Sequence, residues 1–181
     1  MYTRLTSLGL LITLLFSQSV SAQEAAPEGE FTSPTIAIGC VVSDIDASVK
    51  FYTEAIGFKV ARGFKVAADF ATETGLTDQK PLDIKALTLG DGPGATELKL
   101  MQVDGGSAKP ANDHINTSLG FSYLTIFVKS TDAALARLKK QGVKTIGKEP
   151  VALATNPNLV LLIVRDPDGN FVELIGPPPT K

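Results

Sequence analysis

The sequence predicts an α+β fold of two βαβββ modules that pair into one curved sheet, a half-barrel with a cavity along its concave side. Two observations carry this expectation. A β-branched run, a short polar cap and an amphipathic helix occur twice, over residues 36–58 and again over 123–143. Each copy leads into further strand-like runs. The second closes on Arg165-Asp166-Pro167-Asp168-Gly169-Asn170-Phe171-Val172-Glu173-Leu174.

Residues 1–22 read as a secretory signal peptide. Arg4 gives a positive start, residues 8–16 an apolar core of nine, and Val20-Ser21-Ala22 small residues for cleavage after Ala22. That core falls far short of the roughly 20 residues a membrane helix needs, although an uncleaved anchor is the alternative. No cysteine stands at the cleavage point for lipid attachment. The expectation is a protein secreted to the bacterial periplasm, with no membrane span after cleavage. Residues 23–34, polar with Pro27 and Gly29, read as a flexible leader.

One domain is expected over 35–176, made of modules 35–103 and 121–176. In the first module, residues 36–42 suit a strand. Ser43-Asp44 suits a helix cap, and Ile45, Val49, Phe51, Tyr52 and Ile56 form an apolar helix face ended by Gly57. Further strands are expected over 58–62, 84–89 and 96–103, with Asp91-Gly92-Pro93-Gly94 as a turn. Residues 64–83 form an insertion, helix-compatible up to Gly75, that reads either as a surface excursion or as a lid over the cavity. After a connector over 104–120, the second module suggests strands at 122–129, 145–148, 159–165 and 170–175 and a helix at 132–141. Residues 177–181 form a proline-rich tail that stops regular structure.

The formal net charge of −2 becomes about −3 once Arg4 leaves, and no basic stripe is present, so nucleic acid is not an expected partner. Cys40 is the single cysteine, which excludes an internal disulfide, and its apolar strand suggests an inert thiol.

Val42-Ser43-Asp44-Ile45 with Ser48 through Phe58, and Asp166-Pro167-Asp168-Gly169-Asn170 with Glu173, resemble the vicinal oxygen chelate superfamily of glyoxalases, extradiol dioxygenases and bleomycin-resistance proteins. The resemblance covers nearly the whole mature chain. It implies, in the enzymes of that family, one divalent metal held by a His early in the first strand of each module and a Glu in the last strand of each. Such ligands suit iron, manganese, nickel or zinc and leave positions open for substrate oxygens.

Carried over residue by residue, those slots hold Ala37, Lys99, Thr125 and Glu173; a shift of two would put Glu97 in place of Lys99. Ala37 cannot coordinate and an ammonium repels a cation, so no metal is expected and no cofactor. A Lys99–Glu173 ion pair is expected in its place. Gly39, Val41, Met101, Phe127, Phe171 and Ile175 share a face with the slots and form an apolar, aromatic cavity wall.

Two functions from different classes follow. The first is a metal-independent small-molecule binding protein, similar to the sequestering bleomycin-resistance members. The second is a metal-dependent glyoxalase-like lyase or dioxygenase with non-standard ligands such as Glu97, Glu173 and the single histidine, His114. Metal-free catalysis with Glu173 as general base is a third variant. Two pairings of the modules are open, within one chain or between two, and the second implies a homodimer.

Overall fold

A computed structural model describes residues 29, 32, 33, 35–109, 111–147 and 150–180. The signal-peptide expectation and most of the leader lie outside the described residues. Ser33–Lys181 forms one compact unit.

In the first half the order is β1 (Ala37–Val41), α1 (Ile45–Lys50), a π-helical segment (Phe51–Ile56), β2 (Lys59–Val66), α2 (Ala68–Glu73), β3 (Leu82–Leu89) and β4 (Thr96–Val103). The second half runs β5 (Tyr123–Phe127), α3 (Thr131–Lys140), β6 (Val151–Leu153), β7 (Asn156–Arg165) and β8 (Phe171–Gly176). These make two four-stranded mixed sheets, ordered β1-β4-β3-β2 and β5-β8-β7-β6. Among the described residues no ladder joins β1 to β5, so the expected single sheet is two sheets that share a core. In each, the first strand runs parallel to the last, and the remaining pairs are antiparallel.

Alternation sorts the faces. On β4, Leu98 and Leu100 are buried while Glu97, Lys99 and Met101 are partly exposed. On β8, Val172 and Leu174 are fully buried on the same side as Ile126 of β5. These inner residues meet Phe51, Tyr52, Ile56, Ala134 and Leu138 in one core that both halves supply. Burying them is the main stabilising term, since no disulfide contributes.

The helices that follow β1 and β5 start the same way. Asp44 accepts from Ala47 N at 2.9 Å and Ser130 from Ala133 N at 3.2 Å, so both are side-chain N-caps. The first helix departs from the expected α-helix at Phe51. Gly57 N donates to Tyr52 O across a five-residue step at 3.0 Å, and Gly57 closes the segment at φ 109°. Phe51, Tyr52, Ala55 and Ile56 of this wider turn are all buried.

Other boundaries also move. Phe64 to Val66, placed in the insertion by the sequence, extend β2 instead, and the inserted helix shrinks to α2. Of the strand expected over 145–148, the described residues 145–147 form no strand. Thr145 makes an isolated bridge to Val164, and the edge strand is β6, whose short run of Val151, Ala152 and Leu153 pairs with β7. The tail is tied down at Thr180, whose N–H and hydroxyl donate to Asp132 Oδ2 at 3.0 and 2.6 Å. No described helix is long and apolar enough to cross a membrane.

Candidate functional site

The two halves can be superposed by their hydrogen bonds alone. Val42 N donates to Met101 O at 2.8 Å, and Val128 N donates to Ile175 O at 2.7 Å, each just before the N-cap. Counting back along the ladders, Gly39 faces Lys99 as Thr125 faces Glu173, and Ala37 faces Glu97 as Tyr123 faces Phe171. Lys99 is therefore the counterpart of Glu173, and no shift by two is needed. The counterpart of Ala37 is Tyr123, not Thr125. The sequence expectation placed Thr125 two residues late because the second copy reads Ser130-Thr131-Asp132 where the first has a single capping Asp44.

Glu97, Lys99, Met101, Thr125 and Glu173 lie on the sheet faces turned away from the core, as alternation requires. Their pairing differs from expectation. Glu97 is held by Arg62, with Nη1 to Oε2 at 2.7 Å and Nη2 to Oε1 at 3.0 Å, and Lys99 Nζ lies 3.7 Å from the same carboxylate. The Glu97 side chain is only 15% exposed. Glu173 instead accepts a hydrogen bond from the Thr125 hydroxyl at 2.8 Å. The expected Lys99–Glu173 ion pair is absent; each partner is satisfied within its own half.

Arg62 reaches this face because of a β-bulge. The register of β2 against β3 slips between Val60 and Arg62, so that Arg62 sits opposite Ala86, which itself faces Lys99. Without the extra residue, strict alternation would send Arg62 to the other face. Sequence reasoning missed this residue, because a bulge leaves no mark in the alternation of a strand as polar as Lys59-Val60-Ala61-Arg62-Gly63.

The wall residues separate into three groups. Gly39 gives room to Met101: a Cβ added there would lie 2.9 Å from the Met101 methyl. Phe127 and Tyr123 are open to solvent, at 75% and 49% exposure. Phe171, expected on the open wall, is buried under the Arg165 guanidinium, 4.2 Å from its ring centroid.

The insertion contributes directly to a cavity. Leu76, Thr77, Asp78 and Lys80, from the loop between α2 and β3, join Val41, Leu82, Met101, Val103, Gly106 and Ser107 around about 540 Å³. The lid reading gains support over the surface excursion, since the loop lines the same cavity as the strands. His114 does not take part. Its side chain is exposed in the connector, which Arg165 Nη2 fastens through Asp113 O at 2.9 Å.

The two most specific stretches of the sequence meet at the junction of the halves. Tyr52 Oη donates to Asp166 Oδ2 at 3.0 Å, and Asp166 also accepts from the N–H groups of Asp168 and Asn170 and from Asn170 Nδ2. Burial, then the Asp166 charge, pushes the Tyr52 phenol far above its ordinary value. Asp168 accepts from Ser43 N at 3.0 Å and pairs with Lys109 at 3.2 Å. Burial alone would raise the Asp168 carboxyl, but the Ser43 hydrogen bonds and the Lys109 cation outweigh it and hold it below the usual range. Cys40 faces the helices, and burial followed by the charges of Asp166 and Asp168 raises its thiol to about 11.

The residues at the family's ligand positions do not fit a divalent metal. Ala37 has no donor and Lys99 is a cation, and the Glu97 carboxylate two residues away already neutralises two positive groups. Among the described residues no three His, Cys, Asp or Glu side chains cluster as a metal site.

Residues 36–174 match the Glyoxalase/Bleomycin resistance protein/Dioxygenase superfamily. Among curated proteins, none matches the sequence. Solved structures do. A glyoxalase family protein from Bacillus cereus superposes with a TM-score of 0.68 at 20% identity, over 84% of this chain and 99% of that one. A glyoxylase/bleomycin resistance protein/dioxygenase domain from Frankia gives 0.58 at 22% identity, over 81% and 93%. A glyoxalase I variant from Zea mays gives 0.58 at 22% identity, over 79% of this chain and 47% of its own length. At these identities the likeness speaks for the fold, and the match across most of the chain settles the lineage: this protein belongs to the Glyoxalase/Bleomycin resistance protein/Dioxygenase superfamily.

Proposed function

We propose that this is an exported small-molecule binding protein of the bacterial periplasm that holds its ligand on the outer sheet faces without a resident metal or other cofactor. One observation carries the reading. The first-half position that corresponds to Glu173 holds Lys99, a cation, which is fixed with Arg62 on the neighbouring Glu97 carboxylate. A divalent ion there would have to displace two cations already paired. The apolar cavity beside it supports binding, and the signal-like residues 1–22 support export.

Thermal unfolding with and without EDTA, and with added manganese, nickel, zinc or ferrous iron, tests this. A ligand that binds only the native state raises its stability by mass action. The expected result is the same midpoint in every condition. A rise with one metal, reversed by EDTA, overturns the reading in favour of a metal-dependent lyase or dioxygenase. Glu173→Gln separates binding from metal-free general-base catalysis: binding of an apolar ligand survives it, whereas turnover that depends on that carboxylate does not.

A further inference from the structure

We infer that the cavity between the α2–β3 loop and the strands takes a small amphipathic carboxylate, with its chain against the strands and its anion toward Lys80. This rests on the reading of the protein as a small-molecule binder and names the class of ligand. The volume of about 540 Å³ falls in the range of small-molecule sites. Its floor is apolar: Val41, Leu82, Met101 and Val103 stand on three adjacent strands, and Leu76 of the loop lines the same cavity. Such a wall rewards an apolar body and offers it no hydrogen bonds.

The polar rim supplies the sign. Lys80 lines the cavity, and among the described residues no carboxylate lies within ion-pair distance of its ammonium. Its Nζ lies across Gly105, where an added Cβ would be only 3.0 Å away, so the missing side chain leaves the ammonium its place. Gly105 and Gly106, at φ 90° and 73°, turn the connector around this rim. Asp78 sits on the same rim and opposes an anion. Lys99 lies two residues from Met101 on the same face of β4, with Arg62 and Glu97 beside it. Lys80 and Asp78 are the charged side chains that line the cavity itself, and Lys99 and Arg62 stand outside it, paired with Glu97.

The chain has a built-in reporter. Its two methionines are Met1 and Met101, and Met101 lines the cavity. Protein labelled with [13C-methyl]methionine is titrated with octanoate, octanol and octylamine, with affinities measured in parallel by calorimetry. Octanoate is expected to shift the Met101 methyl resonance, and Lys80→Gln, on an exposed side chain, to weaken it about fivefold. Octylamine binding as well as octanoate overturns the proposal, as does octanoate binding equally to Lys80→Gln or leaving the Met101 resonance unmoved. Octanol binding as well as octanoate overturns the anionic class alone and leaves the apolar site standing. The metal experiment is independent of these outcomes, so failure of the ligand class and failure of the metal-free reading are told apart.

Discussion

Lys99 and Glu173 occupy the same step of the same strand in the two halves of the molecule, and their charges are opposite. The frames around them are alike: a parallel strand pair, a side-chain N-cap three residues before the N–H it receives, and a buried leucine on either side of the step in β4, with Val172 and Leu174 in β8. The polar contents differ. In the first half a bulge brings Arg62 onto a carboxylate that Lys99 already flanks, giving a closed ionic cluster. In the second, Glu173 has one neutral partner, the Thr125 hydroxyl. The first half has become structural at this position, while the second keeps an available carboxylate.

The turns before the last strands contrast as sharply. Asp91 forms an exposed ion pair with Lys59 at 2.6 Å, whereas Asp166 is buried and accepts from Tyr52, Asp168 and Asn170. The corresponding hairpin is surface in one half and the joint of the two halves in the other.

Substitutions that exploit these contrasts are ordered by expected effect. Asp166→Ala leaves several buried donors without partners and should cost about 3–5 kcal/mol in urea unfolding, whereas Asp91→Ala should cost under about 1 kcal/mol. Equal costs would mean that Asp166 does not join the halves. Tyr52→Phe removes one donor to Asp166 and should cost about 1–3 kcal/mol by the same measurement. Glu97→Gln, with Arg62 half exposed, should cost about 1 kcal/mol, and Glu173→Gln close to nothing, since an amide oxygen still accepts from Thr125. The reverse order would break the distinction between a structural and an available carboxylate.

The pH dependence sharpens the same contrast at the joint. Asp168 is held below the usual carboxylate range, so its contribution is present above the unfolded-state value and lost as pH falls through the lower folded value. Asp168→Asn should flatten the acid limb of a stability–pH curve measured by denaturant titration. Cys40 acts at the other end. With its thiol raised from 9.0 to about 11, the folded chain resists ionising it, and the stability this neutral form gives is lost as pH rises from 9.0 towards 11. Iodoacetamide at pH 8 should label native Cys40 about a hundredfold more slowly than a thiol of unshifted pKa, judged by mass spectrometry over time.

Much of the fold was legible because its signals are local. The repeated strand, cap and helix, the Gly57 stop and the turn at Asp166-Pro167-Asp168-Gly169 are written in adjacent residues, and β4 falls on the expected residues. The meeting of Tyr52 with Asp166 was not legible, although both stand in the most specific stretches, because nothing local states which distant group a buried phenol will find. At the candidate site, the face and the missing ligand at Ala37 were readable from alternation. The partners were not. Arg62 depends on a bulge, Tyr123 rather than Thr125 on a register, and the Lys80 rim on how far the insertion folds back over β4.

The central claim, that the position of the family's metal is filled in this chain by a cluster of fixed charges, is tested most directly by elemental mass spectrometry. Wild-type protein and Glu173→Gln are loaded with manganese, nickel, zinc and ferrous iron, dialysed, and compared for metal retained per chain. The account predicts no retained metal on either protein. One metal per chain on the wild type, lost in Glu173→Gln, would contradict it.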